Sequence, residues 1–240
     1  MRIAVYFTIS EVDPAALAES TVVVVDVVRA TTTIVEALAN GARAIYPTAS
    51  TEEAVKLAGS LGRDDTLLCG ERRAAKVEGF DLGNSPGEFT RATVEGKRLV
   101  MSTTNGTRAF IAGEEGERLL ACAFTNLGAV AAAVEGAESL AVLCAGREDL
   151  FALEDALCAG YLIERIAGSR GDEPELNDAA LAARTLAGTL HPDRTFLAQV
   201  GAGRTLMEIG LGDDLEICTE MDRHTIVPEM RNKTITLPTR

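Results

Sequence analysis

The most regular feature of the chain is a series of short apolar runs, each followed by a polar loop and a stretch with helical spacing. The clearest run is Thr21–Val25, where β-branched residues follow one another without alternation. Such a run is typical of a strand that is covered on both faces. Strands that alternate with helices predict an α/β protein of three layers, with helices on both faces of a mixed or largely parallel sheet.

Capping residues mark several predicted helices. After the first apolar run, a helix is predicted from near Thr31 or Thr32 to Asn40-Gly41, a common C-terminal signal. Ser50, followed by two glutamates, predicts the N-cap of a helix that runs through Leu61. Three closing strands are predicted near the C-terminus, over residues 214–218, 226–227 and 234–237.

The length of 240 residues fits a single α/β domain that spans residues 1–240. A weak internal repeat is also present. Shifting the chain so that Arg29 falls on Arg147 places Glu36 on Glu154 and superposes two apolar runs. A duplication with halves near 1–120 and 121–240 predicts this pattern, but the common strand-loop-helix unit of α/β proteins produces it too.

The amino-acid composition limits the classes of molecule that the protein is expected to bind. Asp and Glu outnumber Lys and Arg by 36 to 23, for a formal charge of −13, which disfavours nucleic acid and anionic membranes. A small phosphorylated anion is still allowed, because a few arginines can reverse the local field. The N-terminal residues are strand-like, no apolar run is long enough for a bilayer, and the five cysteines form no Cys-x-x-Cys pair. These features predict a cytoplasmic protein with reduced thiols, and they are compatible with a homodimer.

Four polar loops follow apolar runs, over residues 26–33, 70–88, 102–107 and 144–155. In a parallel sheet the carboxyl ends of the strands meet at one edge, so these loops predict one site. The loop from Ser102 to Thr107 is the best phosphate-binding candidate, because it offers hydroxyls and an Asn-Gly pair before a helix. A capped turn explains part of the same pattern.

The candidate metal ligands are oxygen donors. With only two histidines, the chain favours Mg²⁺ or Mn²⁺ over Zn²⁺. Glu154 and Asp155 are adjacent on a predicted helix and point about 100° apart, so at most one is expected to bind a metal directly. Arg29, Arg72 and Arg147 each follow a predicted strand, and three arginines in equivalent places indicate a polyanionic small molecule.

Several of these motifs occur together in a known order. The combination of residues 26–33, 70–72, 79–86 and 102–107, followed by 144–146, 154–155 and 227–228, resembles the 2-phosphosulfolactate phosphatase family. The resemblance implies a Mg²⁺-dependent phosphatase that converts 2-phospho-3-sulfolactate to 3-sulfolactate and phosphate. In methanogens this reaction is a step toward coenzyme M.

Roles can be placed on the matching positions by their chemistry. Metal-assisted attack by water is favoured over a phosphoaspartate at Asp26, because Val28 stands where haloacid dehalogenase phosphatases have a second aspartate. The expected catalytic residues are Asp26, Arg29 and Asp155, and the expected Mg²⁺ ligands are Asp26, Glu71, Asp81 and Glu154. The expected substrate-binding residues are Thr31, Thr32, Arg72, Asn84, Ser85, Ser102, Thr103, Thr104, Asn105, Gly106, Thr107 and Arg147.

Two alternatives remain open at this point. One is a phosphatase for another small 2-phospho acid, which a panel of substrates would distinguish. The other is a non-catalytic module that binds phosphate or another anion. Such a module would not need the carboxylates, so replacing Asp26 and Glu71 by their amides would leave its affinity nearly intact.

Overall fold

A computed structural model describes residues 1–169, 171 and 173–238. Within these residues eleven strands form one sheet and ten α-helices surround it, which confirms the three-layer α/β architecture. The strands are β1 (Arg2–Tyr6), β2 (Thr21–Val25), β3 (Ala44–Pro47), β4 (Thr66–Arg72), β5 (Ala75–Lys76), β6 (Arg98–Ser102), β7 (Arg118–Cys122), β8 (Ser139–Cys144), β9 (Glu175–Leu176), β10 (Glu229–Arg231) and β11 (Thr234–Thr236). The helices are α1 (Ala30–Ala39), α2 (Thr51–Leu61), α3 (Arg91–Val94), α4 (Gly106–Ala112), α5 (Leu127–Ala133), α6 (Leu153–Ser169), α7 (Asp178–Ala187), α8 (Arg194–Leu197), α9 (Gly201–Glu208) and α10 (Asp214–Thr219).

The strand order is β5-β4-β6-β3-β11-β10-β7-β2-β8-β1-β9. Parallel pairs form two groups, β4-β6-β3 and β7-β2-β8-β1-β9, and the antiparallel hairpin β10-β11 joins them. The antiparallel pairs β3-β11, β11-β10 and β10-β7 reverse the strand direction between the groups. The carboxyl ends of all parallel strands therefore do not lie along one edge of the sheet. Loops that follow β2 and β8 of one group and β4 and β6 of the other nevertheless lie beside one another.

The organising strand β2 is buried along its whole length, as its apolar run predicts. Val23 and Val25 pack into a cluster with α5, α6 and α7, whereas Val22 and Val24 pack into a second cluster with α1 and α4. Successive side chains of a strand point to opposite faces, so a strand between two helical layers needs apolar residues at every position. Burial on both faces holds the loop after β2 in place.

Other predicted elements are confirmed, with two exceptions near the C-terminus. The helix predicted after Ser50 forms as α2, and the Ser50 hydroxyl accepts a hydrogen bond from the Glu53 N–H at 3.1 Å. The strand predicted over 214–218 is wrong, because these residues form α10, which places Asp214 against Arg29 and buries Leu215 and Cys218. Residues 226–227 lie outside the strands, immediately before β10.

Strands from residues 1–120 and from 121–240 are mixed within the sheet, since β8 lies between β2 and β1 and β7 spans the boundary. The internal duplication stays a prediction. None of the helices in the described ranges combines the length and apolar character that crossing a membrane requires.

Candidate functional site

A cavity of about 80 Å³ lies where the loops after β2, β4, β6 and β8 meet the start of α6 and of α9. Its wall combines acidic, basic and hydrogen-bonding side chains with a few apolar ones. The residues that line it are Asp26, Val28, Arg29, Glu71, Arg73, Ala74, Asn84, Thr104, Asn105, Gly146, Arg147, Glu148, Glu154, Asp155, Ala202, Thr205 and Leu206.

Asp26 lies at the carboxyl end of β2 and is 8% exposed. Its Oδ1 accepts a hydrogen bond from the Ala30 N–H at 3.2 Å, which ties the carboxylate to the start of α1. On the other side, α4 approaches closely, since a Cβ on Gly106 would lie 2.7 Å from Asp26 Oδ2. Glycine permits this approach, so Gly106 lets α4 lie against Asp26, and phosphate binding by Asn105 and Gly106 stays a prediction.

Arg29 is buried beside Asp26 and is already paired. Its Nη1 donates to Asp214 Oδ2 at 2.7 Å, and its Nη2 donates to the Ala74 carbonyl at 2.6 Å. The relative exposure of the two charged side chains is 3% for Arg29 and 7% for Asp214. The pair holds the guanidinium in one orientation at the cavity wall.

Glu71 connects two of the loops. Its Oε1 accepts the Thr104 N–H at 2.7 Å, and its Oε2 accepts the Ala74 N–H at 2.7 Å and the Thr104 hydroxyl at 3.1 Å. These bonds fix the β4-β5 turn against the loop after β6. Glu71 therefore borders the cavity mainly as a support for its wall.

The first turn of α6 carries two buried carboxylates with different surroundings. Asp155 Oδ1 accepts the Val27 N–H at 2.9 Å, and its Oδ2 accepts the Gly146 N–H at 3.2 Å. Asp155 thus joins the loops after β2 and β8. Glu154 lies 3% exposed at the cavity and forms no ion pair among the described residues, which leaves its carboxylate available to a ligand.

Burial raises the pKa of three acidic groups at the cavity, and neighbouring carboxylates add to the shift for two of them. Burial, and then the charges of Glu71 and Glu154, raise the pKa of Asp26 to about 7. Burial also raises the pKa of Glu154, and burial with the nearby Asp26 charge raises the pKa of Asp155 well above its usual range. A cluster of this kind stabilises a bound cation, because the cation offsets the repulsion between the carboxylates.

We expect the metal-free protein to lose stability as the pH rises from about 5 to about 8 in EDTA. The folded-state pKa of Asp26, about 7, lies above its ordinary value of 3.8, so the folded state binds the extra proton between these values. This contribution to the free energy of unfolding is complete below the pKa of the unfolded state and is lost as the pH rises through about 7. Between about pH 5 and about pH 8, the free energy of unfolding is expected to fall by about 2–3 kcal/mol. Urea unfolding at both pH values measures it. The Asp26→Asn variant is the control, and an equal pH dependence in that variant would contradict the assignment.

The loop from Ser102 to Thr107 uses most of its hydroxyls internally. The Thr107 N–H donates to Thr103 Oγ1 at 3.0 Å, and the Thr107 hydroxyl donates back to the Thr103 carbonyl. Ser102 Oγ accepts from Arg72 Nη2 at 2.8 Å. Of the residues in this loop, Thr104 and Asn105 line the cavity.

Five further predicted site residues lie outside the cavity lining. The hydroxyls of Thr31 and Thr32 donate to the carbonyls of Asp26 and Val27, so they stabilise the start of α1. Three more are held by protein partners: Arg72 by Ser102, Ser85 by Asp214, and Asp81 by Arg63 and the Leu68 N–H. Their polar atoms are occupied by these contacts.

The structure also adds residues that the sequence did not single out. Arg73, Glu148, Ala202 and Thr205 line the cavity, and Asp214 holds Arg29 from behind. Arg73 reaches the cavity because Arg73 and Ala74 form the β4-β5 turn, both with positive φ. No local signal marks Asp214, whose partner lies 185 residues away in the chain.

The donor set fits a small, hard cation. Within the described ranges, no three His, Cys, Asp or Glu side chains are arranged as a metal-binding group. Mg²⁺ usually takes one or two carboxylates and completes its coordination with water and substrate oxygens. Asp26 and Glu154 supply carboxylates, and the buried Oδ1 of Asn84, which has no hydrogen-bond partner in the described structure, supplies a neutral oxygen at the same cavity.

Comparison with known proteins places the chain among relatives of one family. A family model described as 2-phosphosulpholactate phosphatase matches residues 6–233. A protein of Thermotoga petrophila is 39% identical over 213 residues, which cover 88% of this chain and 89% of the relative. A protein of Symbiobacterium thermophilum is 40% identical over 215 residues (88% and 91%), and one of Caldanaerobacter subterraneus is 35% identical over 234 residues (97% and 96%). All three are named "probable 2-phosphosulfolactate phosphatase".

Proposed function

This chain belongs to the 2-phosphosulfolactate phosphatase family, and on that basis we propose that it hydrolyses 2-phospho-3-sulfolactate to 3-sulfolactate and phosphate. The observation that carries the proposal is the cavity itself, in which Asp26 and Glu154 face Arg29, Arg73 and Arg147. Arginines suit the oxyanions of such a substrate, and carboxylates suit a cation and the attacking water.

The proposed cofactor is Mg²⁺, held by Asp26 and Glu154, with Asn84 as a neutral ligand. Five acidic side chains line the cavity against three arginines, and Arg29 is already neutralised by Asp214. A polyanionic substrate would therefore meet net negative charge in the protein alone. When bound, Mg²⁺ supplies positive charge and Lewis acidity at the phosphoryl group.

The side chains of the chain have distinct roles in the proposed hydrolysis. Arg29, fixed by Asp214, donates hydrogen bonds to the phosphoryl oxygens as their charge redistributes. Asp26 orients the attacking water and accepts its proton, since both oxygens of Asp155 already accept backbone N–H groups. The water oxygen forms the new bond to phosphorus, and the bond from phosphorus to the lactate oxygen breaks. That oxygen takes a proton from solvent to become the 3-sulfolactate hydroxyl, and Asp26 releases to solvent the proton that it accepted.

We expect purified protein to release phosphate from 2-phospho-3-sulfolactate with Mg²⁺, and excess EDTA to abolish the release. The carboxylate cluster would otherwise repel the substrate, so the expected loss is at least about 100-fold, as for removal of one dominant electrostatic contact. Phosphate assay after adding back Mg²⁺ checks that the loss is reversible. No release under any condition would overturn the proposed function, whereas release that survives EDTA would overturn only the Mg²⁺ requirement.

A further inference from the structure

The three arginines of the cavity differ in how much of their charge is available. Arg29 shares its charge with Asp214 and donates to a backbone carbonyl, which leaves only its remaining N–H groups for the phosphoryl oxygens. Arg73 and Arg147 form no ion pair among the described residues. These two side chains therefore carry charge that no ion pair of the described residues offsets, although the charge of Arg147 also acts on Glu154.

The exposed side chain of Arg147 forms no ion pair among the described residues, but a hydrogen bond restrains it. Its Nη2 donates to Thr205 Oγ1 of α9 at 3.0 Å. The guanidinium also passes close to the start of α9, since a Cβ on Gly201 would lie 2.7 Å from Nη1. A guanidinium that is already oriented loses less conformational entropy when it binds an oxyanion.

The backbone around Arg147 is fixed as well. The Arg147 N–H donates to the Leu150 carbonyl at 2.9 Å, and the Leu150 N–H donates back to the Arg147 carbonyl at 2.9 Å. The next residue, Glu148, donates its N–H to Asn105 Oδ1 at 3.0 Å. Both the side chain and the main chain therefore hold the guanidinium at one position on the cavity wall.

Arg73 differs from Arg147 in its hydrogen bonding. Both side chains are exposed, but Arg73 lies at the tip of the β4-β5 turn and has no hydrogen-bond partner for its guanidinium among the described residues. A cation of this kind attracts any polyanion but distinguishes poorly between them, because its position adapts to the ligand. The cavity thus has one positioned and one adaptable cation.

We propose that Arg147, positioned by Thr205 and by the absence of a side chain at Gly201, binds the sulfonate of the substrate and determines specificity for it. This rests on the proposed function. The phosphate and carboxylate are common to all 2-phospho acids, so the sulfonate is the group that distinguishes this substrate. Arginine suits it, because the planar guanidinium donates two parallel hydrogen bonds to an oxyanion.

The test compares two substrates that differ only in the sulfonate: 2-phospho-3-sulfolactate and 2-phospholactate. We expect Arg147→Ala to lower kcat/KM for the sulfonate substrate by about 10- to 100-fold, the range for losing a charged hydrogen bond, and to change 2-phospholactate by less than about threefold. Arg73→Ala is the matched control, with similar losses expected for both substrates. Thr205→Val should raise KM for the sulfonate substrate and leave kcat nearly unchanged, as a positioning role requires.

The outcomes separate two failures. If wild-type protein hydrolyses the sulfonate substrate and Arg147→Ala lowers kcat/KM equally for both substrates, the assignment of Arg147 is overturned and the proposed function stands. If only Arg73→Ala lowers kcat/KM more for the sulfonate substrate than for 2-phospholactate, the assignment of Arg147 is also overturned, and Arg73 is the residue that binds the sulfonate. If wild-type protein hydrolyses neither substrate, the proposed function falls, and the assignment with it.

Discussion

The Asp26→Asn variant is expected to lose about 10²- to 10⁴-fold in kcat while keeping its fold, the range for removing a group that transfers a proton during the reaction. Asp26 lies at the end of a fully buried strand, and its carboxylate is fixed between the Ala30 N–H and Gly106. An amide has nearly the same shape but neither accepts a proton from water nor carries the charge that a cation requires. Steady-state phosphate release at saturating Mg²⁺ measures the loss.

The free energy of unfolding of Asp26→Asn shows whether the variant keeps its fold. Ionising Asp26 costs free energy in the folded state, because burial and neighbouring acids raise its pKa to about 7. The neutral amide avoids this cost, so the metal-free variant should be at least as stable as wild type at about pH 8. Glu164→Gln, on the exposed side of α6, is the matched control with unchanged activity. Activity of Asp26→Asn within tenfold of wild type would exclude the proposed role of Asp26.

The Asp214→Asn variant is expected to lose about 3–5 kcal/mol of unfolding free energy, the range for breaking a buried ion pair by removing one partner. Arg29 Nη1 lies 2.7 Å from Asp214 Oδ2, and the two side chains are 3% and 7% exposed. The variant leaves a buried guanidinium without a counter-charge and also weakens the hydrogen bond that the Ser85 hydroxyl donates to Asp214. Urea or thermal unfolding measures the change.

Two sets of control variants test whether the loss of stability in Asp214→Asn comes from breaking a buried ion pair. The exposed ion pair between Arg91 and Glu95 serves as the control, and Glu95→Gln should leave the unfolding midpoint nearly unchanged. Combining Arg29→Met with Asp214→Leu removes both charges and should restore much of the stability without restoring activity. A stable, fully active Asp214→Asn variant would show that the pair does not position Arg29.

The local parts of the site were predictable from sequence. The β-branched run before Asp26 indicates a strand covered on both faces, and polar residues after such strands lie at ligand-binding edges of α/β proteins. Asp26, Arg29 and Glu154 were expected on this reasoning, and all three line the cavity. Which of them act in catalysis or bind metal stays a prediction.

Arg72 and Arg73 show where this reasoning stops. Both follow the same apolar run, but successive residues of a strand point to opposite faces. Arg72 remains in β4 and bonds to Ser102, whereas Arg73 begins the turn and reaches the cavity. The sequence alone does not show where the strand ends to within one residue, so it did not distinguish the two side chains.

The sequence by itself determined the α/β layers, the buried strand β2 and the α2 cap at Ser50, because these depend on periodicity and capping within a few residues. Only the tertiary structure decided that Asp214 lies on a helix behind Arg29 and that Thr205 holds Arg147. These contacts join segments far apart in the chain. They depend on how those segments pack in three dimensions, which no local pattern encodes.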